Sequence, residues 1–393
     1  MKKFILTMIT VCLFLGGCGG GQTALHREEE IHNIRQQEEL EVRLEETMQE
    51  NLRLEQEIET LTEEKETLAE ENEALRAEGR IVSRYGGLFV EGGKLMSETG
   101  ESVVLRGFST HGLTWYPRYI NAGAMQTTKE YGATVFRMAM YTEQEGSYAY
   151  DPVQNLNLML IGIENALSQD MYVIVDWHVL REENPLVYVE QAKSFFAEVS
   201  GRYGDEPGIL YEICNEPNGS TSWEDIRQYA EQVIPVIREN APHAVIIVGT
   251  PKYSSDLRSA FDNPLDYDNI IYALHLYVDV STGEDLVMTE LDRAVEAGFP
   301  VFVSEWGISY GSMEDVDRIE EIEEKSWNYS RIQQFAEYTR EHDISWCVWS
   351  LSNKKEVHSL LRPWVESISG WETEDFTPFG QYILEALSRG RQK

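Results

Sequence analysis

The sequence predicts an α/β protein, a (β/α)8 TIM barrel preceded by a long helical, coiled-coil-like stalk. Two observations support this fold class. Residues 81–393 hold eight apolar, strand-like runs separated by segments of helical length, and eight β-α units in about 290 residues fit a closed parallel barrel. Residues 27–80 instead form one acidic stretch in which leucine recurs at seven-residue spacing, as in a coiled coil.

The first eighteen residues have the pattern of an export signal. Lys2 and Lys3 precede a mostly apolar stretch, 4–15, and Gly16-Gly17-Cys18 follows it. This stretch is too short to span a bilayer core of about 30 Å, so a signal peptide is expected rather than a membrane helix. Its end resembles the lipobox of bacterial lipoproteins, which implies a lipid on Cys18 and a place at the cell surface. An ordinary signal peptide is the alternative.

Residues 19–80 are expected to form a flexible leader followed by the stalk. Residues 27–80 contain nineteen Glu against seven Lys or Arg. Alternating steps of four and three residues mark the two heptad positions, a and d, that form the contact seam of a coiled coil. Leucine occupies position d in five of six repeats, at Leu40, Leu54, Leu61, Leu68 and Leu75. Asn51, Lys65 and Asn72 fall on the other seam position, where isolated Asn favours a parallel two-stranded register. The stalk is therefore predicted to act as a spacer and to form a homodimer, with a solvated single helix or a disordered acidic segment as the alternative.

The charge of the chain restricts its partners. A formal net charge of −35 opposes binding to nucleic acid or to an anionic membrane surface, so membrane contact is expected only through the lipid. A neutral glycan meets no such repulsion. Cys214 and Cys347 lie in apolar runs, where a free cysteine behaves as a small hydrophobe, and the spacing of the cysteines suggests neither a disulfide framework nor zinc.

The barrel is predicted to begin after a short hairpin, Leu88–Val90 and Lys94–Met96, that covers its lower end. The eight strand-like runs are Val103–Phe108, Thr134–Met138, Tyr172–Asp176, Ile209–Cys214, Val245–Val248, Ile270–Leu276, Val301–Ser304 and Ile344–Trp349. Helices are expected between them, among them Leu186–Tyr203 and Trp223–Asn240. A doubly wound open sheet is the alternative, but it normally carries a Gly-rich phosphate loop after an early strand, and none is present.

The predicted strand ends carry the residues for chemistry, because reactive groups of such barrels lie at the carboxyl ends of the strands. Glu216 follows the fourth strand and Glu305 the seventh. Two carboxyl groups at one mouth suit glycoside cleavage, in which one donates a proton to the leaving oxygen and the other attacks the anomeric carbon; a separation of about 5–5.5 Å gives retention. Arg137 and Tyr277 are expected to donate to Glu305 and lower its pKa, and Asn215 to contact the sugar 2-hydroxyl. Taken singly, each of these residues could equally be a helix-capping residue, a surface residue or part of the core.

Seven blocks of sequence make the pattern more specific. They are Leu105–Tyr116, Phe136–Tyr141, Val175–Val179, Tyr211–Gly219, Tyr272–Tyr277, Phe302–Gly307 and Trp346–Ser352. In this order they resemble glycoside hydrolase family 5, and most closely its bacterial cellulase subfamily. The resemblance implies Glu216 as acid/base and Glu305 as nucleophile, in a cleavage subsite completed by Arg137, His178, Asn215, His275, Tyr277 and Trp349. It also implies sugar contacts on the non-reducing side from His111, Trp115, Tyr116, Lys354 and Glu356, and a stacking platform on the leaving-group side at Trp223.

The function predicted from this resemblance is a retaining endo-β-1,4-glucanase that hydrolyses cellulose or β-glucan, with no cofactor and no catalytic metal; a structural Ca²⁺ stays open. Departures from the family pattern at 278–284, 312–325, Val348 and Asn353 affect the leaving-group side and fine specificity. A β-mannanase, xylanase or xyloglucanase on the same scaffold is the first alternative. A surface glycan-binding lipoprotein without catalysis is the second, and it predicts damage to one of the two carboxylates, whereas both are present.

Overall fold

The computed structural model describes two units of the chain. One comprises helical residues at 32–37, 39–40, 42–44, 47–58 and 60–62, and the other comprises residues 82–311, apart from 205 and 285, and residues 327–390. The predicted signal peptide with Cys18, the leader, the C-terminal part of the heptad segment and the acidic loop 312–325 lie outside the described residues. No helix in the described ranges is both long and apolar enough to cross a membrane.

The described residues of the stalk are helical, and their seam is exposed. Leu40, Leu54 and Leu61 expose 65%, 46% and 58% of their surface, and Leu44 and Ile58 at the other seam position expose 61% and 64%. An exposed apolar row at this spacing is the surface that a second helix covers in a coiled coil. Pairing of two chains stays a prediction.

The second unit contains a small antiparallel sheet and a closed parallel barrel. The small sheet consists of β1 (Leu88–Glu91), β2 (Lys94–Ser97) and β3 (Ser102–Val103). The barrel strands are β4 (Arg106–Thr110), β5 (Val135–Tyr141), β6 (Tyr172–His178), β7 (Ile209–Glu212), β8 (Ile246–Val248), β9 (Ile270–Asp279), β10 (Val301–Ser309) and β11 (Ser345–Leu351). They pair in chain order, and β11 closes the barrel against β4. The predicted (β/α)8 barrel is confirmed, and the open-sheet alternative is wrong because the sheet has no free edge.

Helices and short 3-10 turns connect the strands. The α-helices are Val82–Tyr85, Ala122–Glu130, Pro152–Ser168, Val189–Tyr203, Trp223–Asn240, Leu257–Asp262, Thr289–Ala297, Tyr329–Glu341 and Pro378–Gly390, and the 3-10 turns are Pro117–Tyr119, Pro185–Tyr188 and Thr373–Asp375. The short segment Pro251–Ser254 is a turn with left-handed backbone angles. Helix Trp223–Asn240 has the predicted bounds, since Ser222 and Asp225 form a capping box at its start. The helix predicted from Leu186 begins at Val189, after the 3-10 turn at Pro185.

The small sheet covers the amino-terminal end of the barrel. Leu88 and Leu95 belong to one buried cluster with residues that fill the barrel interior near the strand starts, such as Ile174 and Phe302. The predicted first strand is divided, because Val103 pairs with Leu95 in the small sheet while the barrel strand begins only at Arg106. With this end closed by apolar packing, the carboxyl ends of the strands are left as the open face.

Candidate active site

A fully buried arginine organises the site. Arg137 lies on β5 and has no exposed surface. Its partners are Glu212 Oε2 (2.6 Å from Nε), Ser109 Oγ (3.3 Å from Nη1), Glu305 Oε2 (2.9 Å from Nη1), Asn215 Oδ1 (2.6 Å from Nη2) and Asp176 Oδ2 (3.0 Å from Nη2). Four of these contacts are hydrogen bonds from Nε, Nη1 and Nη2, and the contact with Asp176 is an ion pair. A buried charge is tolerated only when it is paired in this way, so the three carboxyl groups and Arg137 depend on one another.

Glu305 on β10 is held as a carboxylate. Its Oε2 accepts from Arg137, and its Oε1 accepts from the hydroxyl of Tyr277 at 2.7 Å. Both contacts predicted from the sequence are therefore present. Burial alone would raise the pKa of Glu305, but the positive charges of Arg137 and His275 outweigh burial and hold this pKa below its ordinary value. Glu305 is thus ionised and free of a proton at neutral pH, as a nucleophile must be.

The pKa of Glu216 is shifted in the opposite direction, above its ordinary value. It lies in the loop after β7, where its Oε1 is 3.0 Å from Nδ1 of His275. Burial, reinforced by the negative charge of Glu305, raises the pKa of Glu216, and the contact with His275 only partly offsets this. Carboxyl oxygens of Glu216 and Glu305 lie within 4.8 Å of each other. Two neighbouring carboxyl groups whose pKa values move apart are the pattern of an acid and a nucleophile.

His178, Asn215 and Trp349 form the floor of the site beside Arg137. His178 Nδ1 is 2.6 Å from Asp176 Oδ2, and its ring stacks on Trp349 at 5.4 Å. Burial and the charge of Arg137 lower the pKa of His178 to about 3, so this ring is neutral. The amide of Asn215 donates to Val179 O at 3.1 Å and faces His178 Nε2 at 3.3 Å. The longer of these two contacts is the one that a sugar hydroxyl could replace.

The residues predicted for the non-reducing side also come together. The ring of His111 lies 4.7 Å from Tyr116 and 5.2 Å from Trp349. Lys354 Nζ is 3.4 Å from His111 Nε2 and 2.5 Å from Glu356 Oε2. Trp115, 39% exposed, packs edge-on against Tyr141 at 4.9 Å. Aromatic and polar groups thus continue from Trp349 along one side of the mouth.

The structure corrects the expectation for Trp223. This side chain is only 7% exposed. Its ring packs edge-on against Tyr272 at 5.9 Å, and its Nε1 donates to the carbonyl of Asn263 at 2.8 Å. Trp223 therefore belongs to the core between its helix and β9, and it offers no free ring face to a sugar.

An exposed tyrosine that the sequence reasoning missed lies beside the loop of Glu216 instead. Tyr253 follows β8 and is 53% exposed. Its backbone N–H donates to the carbonyl of Pro217, the residue after Glu216, at 3.0 Å. Lys252, Tyr253 and Ser254 all have positive φ, a left-handed turn that fixes the loop here. The only sequence signal was an aromatic residue in the loop after the fifth barrel strand.

Two further buried residues were also missed. Glu212 has no exposed surface and binds Arg137, and Ser304 Oγ is 2.7 Å from Glu212 Oε1. Glu212 had a visible signal, because a charged residue inside the apolar run Ile209–Cys214 must be buried and paired. Ser304 had no signal beyond its place next to Glu305.

In the described part of the chain, one group of three side chains has the spacing of a metal site, namely Glu216, His275 and Glu305. Its ligand atoms are already engaged. Arg137 and Tyr277 donate to the two oxygens of Glu305. The pKa of His275 is raised to about 9, since its carboxyl neighbours outweigh the effect of burial, and a protonated imidazole does not bind a metal. These residues fit acid–base chemistry and not a cation site.

A pair of neighbouring carboxyl groups, one with a raised pKa and one with a lowered pKa, is the device by which glycoside hydrolases cleave, and this barrel presents such a pair at the open ends of its strands. The chain belongs to the cellulase family, glycosyl hydrolase family 5, whose sequence model matches residues 96–355. The matched range includes Glu216 and Glu305 and all the barrel strands.

Curated relatives and solved structures agree with this family. Endoglucanase A of Butyrivibrio fibrisolvens is 37% identical over 300 residues, which cover 75% of this chain and 67% of that protein. Endoglucanase A of Evansella cellulosilytica is 38% identical over 291 residues, which cover 73% and 57%. The catalytic domain of Thermobifida fusca endoglucanase Cel5A in complex with cellotetraose has a TM-score of 0.70 at 33% identity, covering 79% of this chain and 99% of that one. The chain thus spans about two thirds or less of the length of these curated relatives.

Proposed function

We propose that this protein is a retaining endo-β-1,4-glucanase, with Glu305 as nucleophile and Glu216 as acid/base. The observation that carries the proposal is the pair itself. The two carboxyl groups lie within 4.8 Å, with a lowered pKa at Glu305 and a raised one at Glu216. This spacing suits direct attack by a carboxylate; inverting enzymes keep about 6.5–9.5 Å for a water.

The reaction proceeds in two displacements. Glu305 attacks the anomeric carbon, and Glu216 gives its proton to the glycosidic oxygen as that bond breaks, which leaves a glycosyl ester on Glu305. Glu216, now a carboxylate, takes a proton from water, and the resulting hydroxide displaces Glu305 and restores both groups. Arg137 and Tyr277 hold the Glu305 carboxylate in position for both steps.

The remaining residues bind the polymer on either side of the scissile bond. Trp349 and the ring of His178 lie under the cleavage subsite, and Asn215 hydrogen-bonds the 2-hydroxyl of the sugar. His111, Trp115, Tyr116, Lys354 and Glu356 form the non-reducing side. Tyr253 takes the place expected of Trp223 as the aromatic residue on the leaving-group side, because its ring is exposed next to the loop of Glu216. Flat aromatic faces suit the apolar faces of β-linked glucose.

Two kinds of similarity support a β-1,4-glucan as substrate. The curated relatives described above are endoglucanases, and the Thermobifida structure holds cellotetraose. The test is reducing-end release by the purified full chain from carboxymethyl cellulose, mixed-linkage glucan, xyloglucan, mannan and xylan. Activity should be highest on the two plain glucans and lost in Glu305→Gln. Highest activity on mannan, xylan or xyloglucan would keep the mechanism and overturn the substrate.

We further propose that the enzyme is extracellular and held at the cell surface by a lipid on Cys18. The lipobox-like sequence that ends at this residue supports the anchor. Expression of the full chain with Cys18→Ser, next to the parent, tests it. The parent should label with a radioactive fatty acid and sediment with membranes, and the variant should do neither; equal labelling of the two would contradict the anchor.

The stalk is proposed to form a parallel dimer with a second copy of the chain. Its exposed seam, at Leu54, Ile58 and Leu61 among others, supports this pairing. Sedimentation equilibrium of the unlipidated chain should give a dimer, and Leu54→Asp with Leu61→Asp should give a monomer. The control is Met48→Asp, which changes an exposed residue off the seam and should leave the dimer intact. A monomeric parent protein would overturn the proposal.

A further inference from the structure

A buried hydrogen-bond chain links the acid/base to a carboxylate that the two displacements do not use. It runs from Glu212 Oε1 to Ser304 Oγ at 2.7 Å, from Ser304 Oγ to His275 Nε2 at 2.9 Å, and from His275 Nδ1 to Glu216 Oε1 at 3.0 Å. Glu212, Ser304 and His275 are all 3% exposed or less. These three side chains therefore hydrogen-bond to one another directly, without a solvent molecule between them.

We propose that Glu212 and Ser304 are positioning residues for Glu216: they hold a proton on Nε2 of His275, and so direct Nδ1 of that ring to the acid/base. This inference deepens the proposed function and rests on it. Neither residue touches the substrate in the scheme above, and each acts through the imidazole.

The direction of the hydrogen bonds follows from the number of protons available. Glu212 is a carboxylate: burial would raise its pKa, but the charge of Arg137 and the imidazole of His275, whose Nε2 is 3.7 Å from Glu212 Oε1, bring this pKa to about 2. A carboxylate only accepts, so the single hydroxyl hydrogen of Ser304 goes to Glu212. Towards His275, the oxygen of Ser304 can then only accept. Nε2 must therefore carry a hydrogen, whatever the charge of the ring.

The consequence for Glu216 concerns its two oxygens. With Nε2 satisfied, Nδ1 is the ring nitrogen that meets Oε1 of Glu216. The pKa of His275 is raised to about 9, so at neutral pH Nδ1 also carries a proton and donates it to Oε1. The catalytic proton of Glu216 is then placed on Oε2, away from the ring. Once this proton has left, the charged ring stabilises the carboxylate that remains.

The groups around the imidazole come from three strands and a loop. They are Asp176 and His178 on β6, Glu212 on β7, Glu216 in the following loop, and Glu305 on β10. Glu212 contacts both Arg137 and Ser304. One buried carboxylate thus connects the arginine that holds the nucleophile to the histidine that contacts the acid.

The geometry makes Glu212→Gln a directional test. Arg137 Nε can only donate, so the amide oxygen of the glutamine must face Arg137 and its NH₂ must face Ser304. The serine hydrogen is then free to point to Nε2 of His275, and the neutral ring should carry its proton on Nδ1. Ser304→Ala removes the link but keeps every charge, and Ser304→Thr restores the hydroxyl.

The experiment is ¹⁵N NMR of the full chain labelled at histidine, with the His275 signals assigned from His275→Gln. In the parent protein both ring nitrogens should be protonated at pH 7, and near pH 9 the proton should leave Nδ1. In Glu212→Gln the ring should lose its charge at lower pH and retain the Nδ1 proton. Ser304→Ala should also lower the pH of deprotonation, and Ser304→Thr should return to the parent behaviour. Unchanged His275 signals in a folded Glu212→Gln and in Ser304→Ala would overturn the proposal.

Kinetics give a second readout that a purely structural role would not produce. Loss of the ring charge raises the pKa of Glu216, so the basic limb of kcat/KM should move to higher pH in Ser304→Ala. The value of kcat should fall about tenfold, which is less than the roughly 10²–10⁴-fold that complete loss of a general acid costs. The acid limb should stay, because Arg137 is intact and the imidazole of His275 is still protonated in the acid range where Glu305 titrates, and Ser304→Thr should recover both values. An inactive parent protein would contradict the proposed function, whereas the NMR result stands apart from activity.

Discussion

The hydroxyl of Tyr277 provides a measurable test of how Glu305, the proposed nucleophile, is kept ionised. It donates to Glu305 Oε1 at 2.7 Å, on the side of the carboxylate that Arg137 does not reach. Tyr277→Phe removes this donor and keeps the ring. A hydrogen bond to a charged acceptor contributes about 1.5–3 kcal/mol, and about 1.4 kcal/mol corresponds to one pH unit. The acid limb of kcat/KM should therefore move to higher pH by roughly one to two units.

The assay is the pH profile of kcat/KM on a soluble chromogenic cello-oligosaccharide. The sign follows from the pKa of Glu305, which the environment lowers in the parent protein: loss of a donor raises it, and activity at acid pH falls most. Tyr229→Phe is a matched control, since its buried hydroxyl also makes a 2.7 Å bond, but to the carbonyl of Ile213. An acid limb that stays in place in Tyr277→Phe, or that moves equally in the control, would refute the reasoning.

Three further predictions follow from the same site. Tyr253→Ala should raise KM for cello-oligosaccharides several-fold and change the product distribution, whereas Trp223→Phe should lower the melting temperature and leave the products unchanged; the reverse pattern would restore Trp223 as the platform. Glu216→Ala should accumulate a glycosyl-enzyme from substrates with an activated leaving group, and azide should release it as the β-glycosyl azide, because the small anion needs no general base; release of the α-azide would contradict retention. The pKa of Glu356 is about 2, because His358, His111 and Lys354 outweigh the effect of its burial. The Glu356 carboxylate should therefore stabilise the folded protein fully at pH values above about 4.5, and this stabilisation should be lost as the pH falls from about 4.5 to about 2. Glu356→Gln should then cost about 3 kcal/mol of unfolding free energy at pH 7 and about half as much at pH 3, measured by denaturant titration; an equal cost at both pH values would contradict the assigned pKa.

The barrel could be predicted because its strands are short apolar runs with polar ends. Their alternation with helices leaves few topologies, and the fold places their carboxyl ends at one face. That was sufficient to bring Arg137, Glu216, Tyr277 and Glu305 into one site. The division of the first strand was not predictable, because Val103 reads as apolar whether it pairs in the small sheet or in the barrel.

The orientation of single side chains was harder to predict. Trp223 begins a helix after a polar loop, and nothing in the sequence shows that its ring turns inward onto Tyr272. Tyr253 reaches the loop of Glu216 only because three successive residues adopt left-handed backbone angles, which the sequence Lys-Tyr-Ser does not favour. Glu212 was predictable as a buried charge, but its partner Ser304 comes from β10, three strands further around the barrel. Contacts across a barrel depend on register and twist, which the sequence does not encode locally.

In the proposed mechanism, Glu305 attacks the sugar directly while Glu216 supplies the proton. The decisive experiment is ¹H NMR of the anomeric signals during hydrolysis of cellotetraose by the purified full chain. The β-anomer of the new reducing end should form first and mutarotate to the α-anomer later, and Glu305→Gln should form neither. Initial formation of the α-anomer would contradict this mechanism, because it requires a water and not Glu305 as the attacking group.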